Sequence, residues 1–201
     1  MKKRFAIILV LLCALSASLS AESWYEFGSM KFSISAGPDI PLTYVWFGDD
    51  EPYWGPGADN TGFSLGGIGG IDFQVFLSSW FSLGAEIGFE FNMDKNGDTF
   101  TSVPILAKFT FLPFQTTRFE IPVSIGIGGN YLSYDDKSKM TLGLSFEVEA
   151  RYYFWEQWGI GIKTGISFIP EWYTSLPYKG AETKNALFTS IPVMLTATYR
   201  H

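Results

Sequence analysis

Apolar and polar residues alternate strictly between residues 81 and 93, in the stretch FSLGAEIGFEFNM. Every odd position is apolar, whereas every even position is small or polar. A period of two predicts a β-strand, because successive side chains of a strand point to opposite faces. A tilted strand that crosses a bilayer needs roughly 9–11 residues, which this stretch supplies. We therefore expect a strand whose two faces meet different surroundings.

The same alternation recurs along the chain and predicts eight strands. They cover residues 30–36, 63–77, 81–93, 102–111, 118–128, 141–152, 158–168 and 190–200. The connections after the second, fourth and sixth strands are short, those after the first and seventh are long, and those after the third and fifth are of middling length. Short turns at one end and longer loops at the other are typical of outer-membrane barrels. Pro104, Pro122 and Pro192 fall inside strands, where we expect bulges or strand starts.

The charged residues of these segments all share the polar phase. They are Lys31, Asp72, Glu86, Glu90, Lys108, Arg118, Glu120, Glu147, Glu149, Arg151, Lys163 and Arg200. Lys or Arg facing lipid at mid-bilayer costs about 2–4 kcal/mol, so this segregation favours a membrane barrel over a water-soluble carrier with an apolar interior. The predicted fold is all-β, a closed antiparallel eight-stranded up-and-down transmembrane β-barrel.

A polar lumen that narrow predicts a network of ion pairs. The candidate members are Glu86, Glu90, Lys108, Arg118, Glu120, Glu147, Glu149, Arg151 and Lys163. Aromatic residues predict two girdles at the barrel ends. The girdle beside the short turns would hold Trp80, Phe81, Phe111, Phe119, Phe154, Trp155, Trp158 and Tyr199, and the one beside the loops Phe63, Phe91, Phe100, Tyr131, Phe168 and Trp172.

The N-terminus has the pattern of a cleaved secretory signal peptide. Lys2, Lys3 and Arg4 precede an apolar run over residues 5–15 and a small-residue stretch that ends near residue 20. We therefore expect a signal peptide over residues 1–20 and a single outer-membrane barrel domain over residues 21–201. Without the three basic residues of the signal, 11 basic residues face 20 acidic ones. An acidic chain without a basic stripe argues against nucleic acid as a partner.

The sequence offers little for catalysis. The Glu86–Glu90 and Glu147–Glu149 pairs would each share a face, but the neighbouring bases favour structural ion pairs over acid–base chemistry. The single histidine, His201, falls at the short-turn end. The stretch from Asp94 to Asp98 resembles the start of a calcium loop but lacks the glycine and glutamate that such a loop requires, and Asn-Gly is a strong hairpin signal. We expect no enzyme, no cofactor and no metal.

Aromatic residues crowd the two longest connections. The candidates for contact with a partner are Trp46, Phe47, Tyr53, Trp54, Trp172, Tyr173 and Tyr178. Such residues form either an exposed binding surface or a lid over the barrel mouth, and both interpretations stay open.

The segment SVPILAKFTF, residues 102–111, is similar to the Pro-aliphatic-aromatic strands of small outer-membrane barrels, and the terminal strand, with Leu195, Ala197 and Tyr199 in alternation, looks like an assembly signal. The chain thus resembles the small eight-stranded outer-membrane β-barrel family of OmpA, OmpX and OmpW type. This resemblance implies outer-membrane lipids and the barrel assembly machinery as partners. The charged, narrow lumen and the lack of catalytic groups predict a non-catalytic scaffold or surface-contact protein with a largely plugged lumen. The OmpW-type resemblance implies the alternative, a narrow channel or binding protein for small hydrophobic molecules.

Overall fold

Eight long strands and one two-residue strand make up the described part of the chain. The structure is a computed structural model that describes residues 24–46, 53–54, 62–94, 97–134, 137–171 and 186–201. Within these ranges no helix is long and apolar enough to cross a membrane. The strands are β1 (Met30–Trp46), β2 (Tyr53–Trp54), β3 (Gly66–Ser78), β4 (Phe81–Met93), β5 (Thr99–Gln115), β6 (Phe119–Tyr134), β7 (Lys137–Tyr153), β8 (Trp158–Glu171) and β9 (Ala186–Arg200). The predicted signal peptide, residues 1–20, lies outside the described residues.

The long strands form one antiparallel sheet that closes on itself. Each long strand pairs with its neighbour in the chain, and β1 pairs with both β3 and β9. Phe32 of β1, for example, lies opposite Phe73 of β3 on one side and Tyr199 of β9 on the other. Closure gives every long strand two partners and leaves no exposed sheet edge among them. The predicted fold class, a closed eight-stranded barrel, is confirmed.

The two phases of the alternation face opposite sides of the barrel wall. Leu83, Ile87 and Phe89 point outward, with 41%, 49% and 50% of their surface exposed. Of the twelve charged residues predicted to share one face, all are buried except Arg118, which is exposed in the turn over residues 116–118. The placement of Arg118 inside the lumen was therefore wrong, because the strand β6 begins only at Phe119.

One of the three predicted strand prolines lies at a bulge. Pro122 of β6 lies opposite the register shift between Phe111 and Phe114 of β5, between the pairs Phe111↔Val123 and Phe114↔Ile121. Pro104 does not mark a bulge, because the β4–β5 register is the same on both sides of it, and the β8–β9 register likewise continues unchanged past Pro192. The other register shifts occur between Pro41 and Thr43 and between Phe76 and Ser78. A proline removes one ladder hydrogen bond, and these strands tolerate that loss as a local gap.

The connections at one end of the barrel are all short, whereas those at the other end vary in length. The end that carries the connections of residues 79–80, 116–118 and 154–157 is called the short-turn end, and the opposite end the loop end. At the loop end β6 and β7 extend further than their alternation predicted, so only two residues, 135–136, separate them. At the hairpin of β4 and β5, Gly97 has a φ of 92°, in the left-handed region that favours glycine.

Each end of the interior contains a cluster of apolar side chains. At the short-turn end Tyr25, Phe76 and Leu112 pack together. At the loop end the buried cluster consists of Phe63, Phe100, Leu132, Ile169 and Phe188. The girdle assignment of Phe63 and Phe100 was wrong, because both rings point into the barrel, where they pack against Phe188. Trp80, Phe111 and Trp158 do lie exposed beside the short turns.

Candidate functional site in the barrel lumen

The lumen side chains between the two apolar clusters form two ion-pair networks and one acidic pair. The middle cluster comprises Asp72, Glu86, Lys108, Glu147 and Lys163. The lower cluster, nearer the short-turn end, comprises Glu120, Glu149, Arg151, Tyr153 and Tyr25. The upper pair, nearer the loop end, is Asp39 with Glu90. All of these residues are buried.

Two lysines hold the middle cluster together. The Lys108 ammonium lies 2.6 Å from a Glu147 carboxylate oxygen, 3.5 Å from Asp72, and in a direct ion pair with Glu86. Lys163 approaches the same two glutamates from the other side, with Nζ 3.3 Å from Glu86 and 3.5 Å from Glu147. The cluster draws on β3, β4, β5, β7 and β8, so its ion pairs cross the lumen and do not only follow one hairpin.

Arg151 is the centre of the lower cluster. Its Nε donates to Glu149 at 2.9 Å and its Nη2 donates to the other Glu149 oxygen at 2.5 Å, a bidentate arrangement. Its Nη1 donates to Glu120 as well. Thr196 adds a hydroxyl donor to Glu149. One guanidinium therefore binds two carboxylates in a site that water scarcely reaches.

The segment before β1 enters the barrel and completes the lower cluster. The Tyr25 ring stacks on Phe76 with centroids 3.7 Å apart. Its hydroxyl donates to Glu120 at 2.9 Å and lies 3.0 Å from the Tyr153 hydroxyl. Burial raises the pKa of the Tyr25 hydroxyl well above its usual value, so the group remains a donor. Arg200, whose guanidinium stacks 3.6 Å above the Tyr153 ring, covers the same end.

Glycines facing inward make room for these side chains. A Cβ added at Gly161 would lie 2.6 Å from the Glu149 carboxylate and 2.7 Å from the Thr196 hydroxyl. Both distances are shorter than real Cβ contacts, so a larger residue at position 161 would displace the carboxylate that binds Arg151. At this level of the lumen, long side chains therefore lie over small residues.

The structure brings together seven of the nine residues predicted for the lumen network. Those seven are Glu86, Lys108, Glu120, Glu147, Glu149, Arg151 and Lys163. Arg118 is exposed, and Glu90 lies with Asp39 instead of with a base. Sequence reasoning missed Asp39 because β1 continues past Gly37 and Pro38, where the alternation fades. It missed Tyr25 because no periodic pattern reaches that residue.

The glutamate pairs for which the sequence predicted a structural and not a catalytic role are held by ion pairs and hydrogen bonds. Glu86 and Glu147 bind lysines in the middle cluster, and Glu149 binds Arg151. His201 lies at the short-turn end, where its backbone N–H donates to the Met30 carbonyl at 2.8 Å.

The predicted contact residues of the loops cannot be placed by side chain. Phe47, Trp172, Tyr173 and Tyr178 lie outside the described residues. Trp46, Tyr53 and Trp54 belong to described strands, but their side chains also lie outside the described set. The backbone of β2 pairs with β1 through Thr43↔Trp54 and Tyr44↔Tyr53. The contact role of these aromatic residues stays a prediction.

Comparison with known proteins finds relatives that are described as uncharacterized, and a solved structure whose fold is similar to that of this chain. A protein-family model matches residues 17–199. The chain is 36% identical over 100 residues to an uncharacterized protein of Treponema pallidum, a match that covers 48% of this chain and 44% of that protein. The chain therefore matches less than half the length of this relative. It is 25% identical over 146 residues to an uncharacterized protein of Borreliella burgdorferi, over 65% of this chain and 68% of that one.

Among solved structures, Neisserial surface protein A, NspA, has a similar fold. The TM-score is 0.52 at 10% sequence identity, and the superposition covers 84% of this chain and 96% of NspA. At that identity the likeness is one of fold alone.

Proposed function

We propose that this chain, which has the fold of a small eight-stranded outer-membrane β-barrel, is a non-catalytic barrel with a closed lumen that makes its contacts through the loop end. In outer-membrane barrels the loop end faces outward from the cell and the short turns face the periplasm. The observation that carries the proposal is the filling of the lumen. The middle and lower clusters lie between two apolar clusters, at the short-turn end and at the loop end.

A closed lumen follows from the energetics of these layers. An eight-stranded barrel is just wide enough for side chains to fill its interior. An ion that crossed it would have to separate buried ion pairs such as Lys108 with Glu147, and then pass apolar rings such as Phe100 and Phe188. Both steps expose charge to surroundings of low dielectric constant. The same ion pairs keep Glu86, Glu147 and Glu149 from acting as free acids or bases, which supports a non-catalytic role.

Planar-bilayer recordings test the closed lumen. We expect the purified barrel to insert without producing steady single-channel openings, because buried ion pairs and apolar rings occupy its described interior. A general porin added afterwards to the same bilayer checks that openings would have been detected. Steady openings at neutral pH would contradict the proposal and favour the OmpW-like channel for small molecules.

Surface contact requires that the long connections reach the outside of the cell. We expect Tyr178→Cys to react with a membrane-impermeant maleimide on intact cells, because residue 178 falls in the connection between β8 and β9 at the loop end. Gln157→Cys, exposed in a short turn, is the matched control and should react only after the outer membrane is permeabilised. The one native cysteine, Cys13, falls in the predicted signal peptide, so it does not interfere. The reverse labelling pattern would refute the proposed orientation.

A further inference from the structure

The described lumen contains more buried acids than bases. Its acids are Asp39, Asp72, Glu86, Glu90, Glu120, Glu147 and Glu149, and its bases are Lys31, Lys108, Arg151, Lys163 and Arg200. Among the described residues no ion pair includes Asp39 or Glu90, whereas the other five acids lie in the middle and lower clusters beside bases. The excess of two negative charges is therefore located at the upper pair.

The upper pair lies well above the lysines of the middle cluster. Glu90 is four residues beyond Glu86 on β4, which corresponds to about 13 Å along a strand. Neither carboxyl group has any surface exposed. Asn92 donates through Nδ2 to Asp39 Oδ2 at 3.3 Å, and Ser190 donates to Glu90 Oε1 at 3.4 Å. The two carboxyl groups also lie within hydrogen-bond reach of each other, Asp39 within reach of Ser190, and Glu90 within reach of Ser102. None of these groups supplies a positive charge.

Three buried side-chain oxygen atoms of the upper pair and of Asn92 have no hydrogen-bond donor. They are Asp39 Oδ1, Glu90 Oε2 and Asn92 Oδ1. A buried polar atom without a partner costs about 1–3 kcal/mol, so several in one place indicate that a further group is bound there.

We propose that Asp39, Glu90 and the side-chain oxygen of Asn92 bind one calcium ion in the upper part of the lumen. A divalent cation would cancel the two excess charges. Carboxylate, amide and hydroxyl oxygens are hard ligands, and calcium accepts six to eight of them in flexible geometry. In the described residues no group of three or more His, Cys, Asp or Glu side chains could hold a metal ion, so neutral oxygens must complete this coordination.

A proton shared between the two carboxyl groups is the competing way to neutralise part of the charge. It would bridge one pair of their oxygens. The Asn92 side-chain oxygen would remain without a partner, and one negative charge would stay buried. This remaining charge favours a cation. The apolar cluster at the loop end covers this position, since Asn92 is the register partner of Phe100, so we expect the ion to enter during folding.

Equilibrium dialysis with radioactive calcium tests the site. The full chain is refolded into detergent micelles at about 0.01–10 mM free calcium, which spans the affinities of extracellular calcium sites. We expect close to one ion per chain, and at least a tenfold loss of affinity in Glu90→Gln. The melting temperature of the wild type should rise by about 5 °C or more in calcium compared with EDTA. An equal concentration of magnesium chloride controls for ionic strength.

Two further variants make the result decisive. Asp98→Asn alters the other acidic stretch, the hairpin in which the Asp98 N–H donates to Asp94 at 2.8 Å, and should bind calcium like the wild type. The double variant Asp39→Asn with Glu90→Gln removes the excess charge and should fold without calcium, with the same melting temperature in calcium and in EDTA. Absence of calcium binding by the wild type would overturn the proposal and favour the shared proton. Loss of binding in Asp98→Asn alone would also overturn it, because the ion would then belong to the hairpin.

Discussion

Arg151→Met is expected to lower the free energy of unfolding of the barrel by about 3–5 kcal/mol, the cost of leaving a buried charge without its partner. Arg151 is 1% exposed and serves two carboxylates, Glu120 and Glu149. Methionine fills a similar volume, so the loss would come from the charge and not from a cavity. Urea unfolding in detergent micelles, followed by the heat-dependent shift in gel mobility, measures the change.

Arg118→Met is the matched control, because Arg118 is exposed in a short turn. It should change the free energy of unfolding by no more than about 0.5 kcal/mol. Adding Glu149→Gln to Arg151→Met should recover part of the loss, since one of the two unpaired carboxylates is then gone. Equal losses in Arg151→Met and Arg118→Met would show that the lower cluster does not stabilise the barrel.

The second large effect concerns the outer face of the wall. Ile87→Arg should destabilise the barrel by about 2–4 kcal/mol in phospholipid vesicles, because it places a cation against acyl chains at the middle of β4. Met93→Arg is the control on the same strand. Both side chains are 49% exposed, but Met93 is the last residue of β4, at the loop end.

The two variants place the same charge on the same strand at different depths in the membrane, so the difference between them measures the effect of depth on stability. The cost of a charge on the lipid face falls to about 0–1 kcal/mol near the interface, so Met93→Arg should be nearly neutral. Unfolding by urea from vesicles of stated lipid composition gives both values under the same conditions. A neutral Ile87→Arg would mean that this face of the barrel does not meet lipid, and the assignment of the two faces would fail.

The alternation of side chains was sufficient to predict the wall of the barrel. Leu83, Ile87 and Phe89 point outward and Glu86 and Lys108 inward, as their phase indicated. The position of a residue in a strand determines which face of the sheet its side chain lies on. The opposite choice of faces is excluded because it would place the charged side chains in lipid, at a high cost in free energy. The number of long strands followed for the same reason, since each segment carried its own pattern.

The alternation of apolar and polar residues predicted side-chain positions less well where it becomes irregular. Arg118 was assigned to a strand but lies in a turn, and Asp39 was missed because Gly37 and Pro38 interrupt the alternation within β1. Phe63 and Phe100 were assigned to a lipid-facing girdle, yet they fill the loop end of the interior. An aromatic residue suits either place, so its type does not distinguish them.

The sequence by itself therefore determined the strands, the two faces of the wall and the ionic character of the lumen. Only the tertiary structure decided which charges meet. Glu86 and Lys163 are 77 residues apart and bind across the lumen, and Tyr25 reaches Glu120 across 95 residues. Strand periodicity specifies the direction of a side chain, but its partner depends on barrel closure and register, which arise from all eight long strands together. For the same reason, the absence of a base beside Asp39 and Glu90 became visible only in the folded barrel.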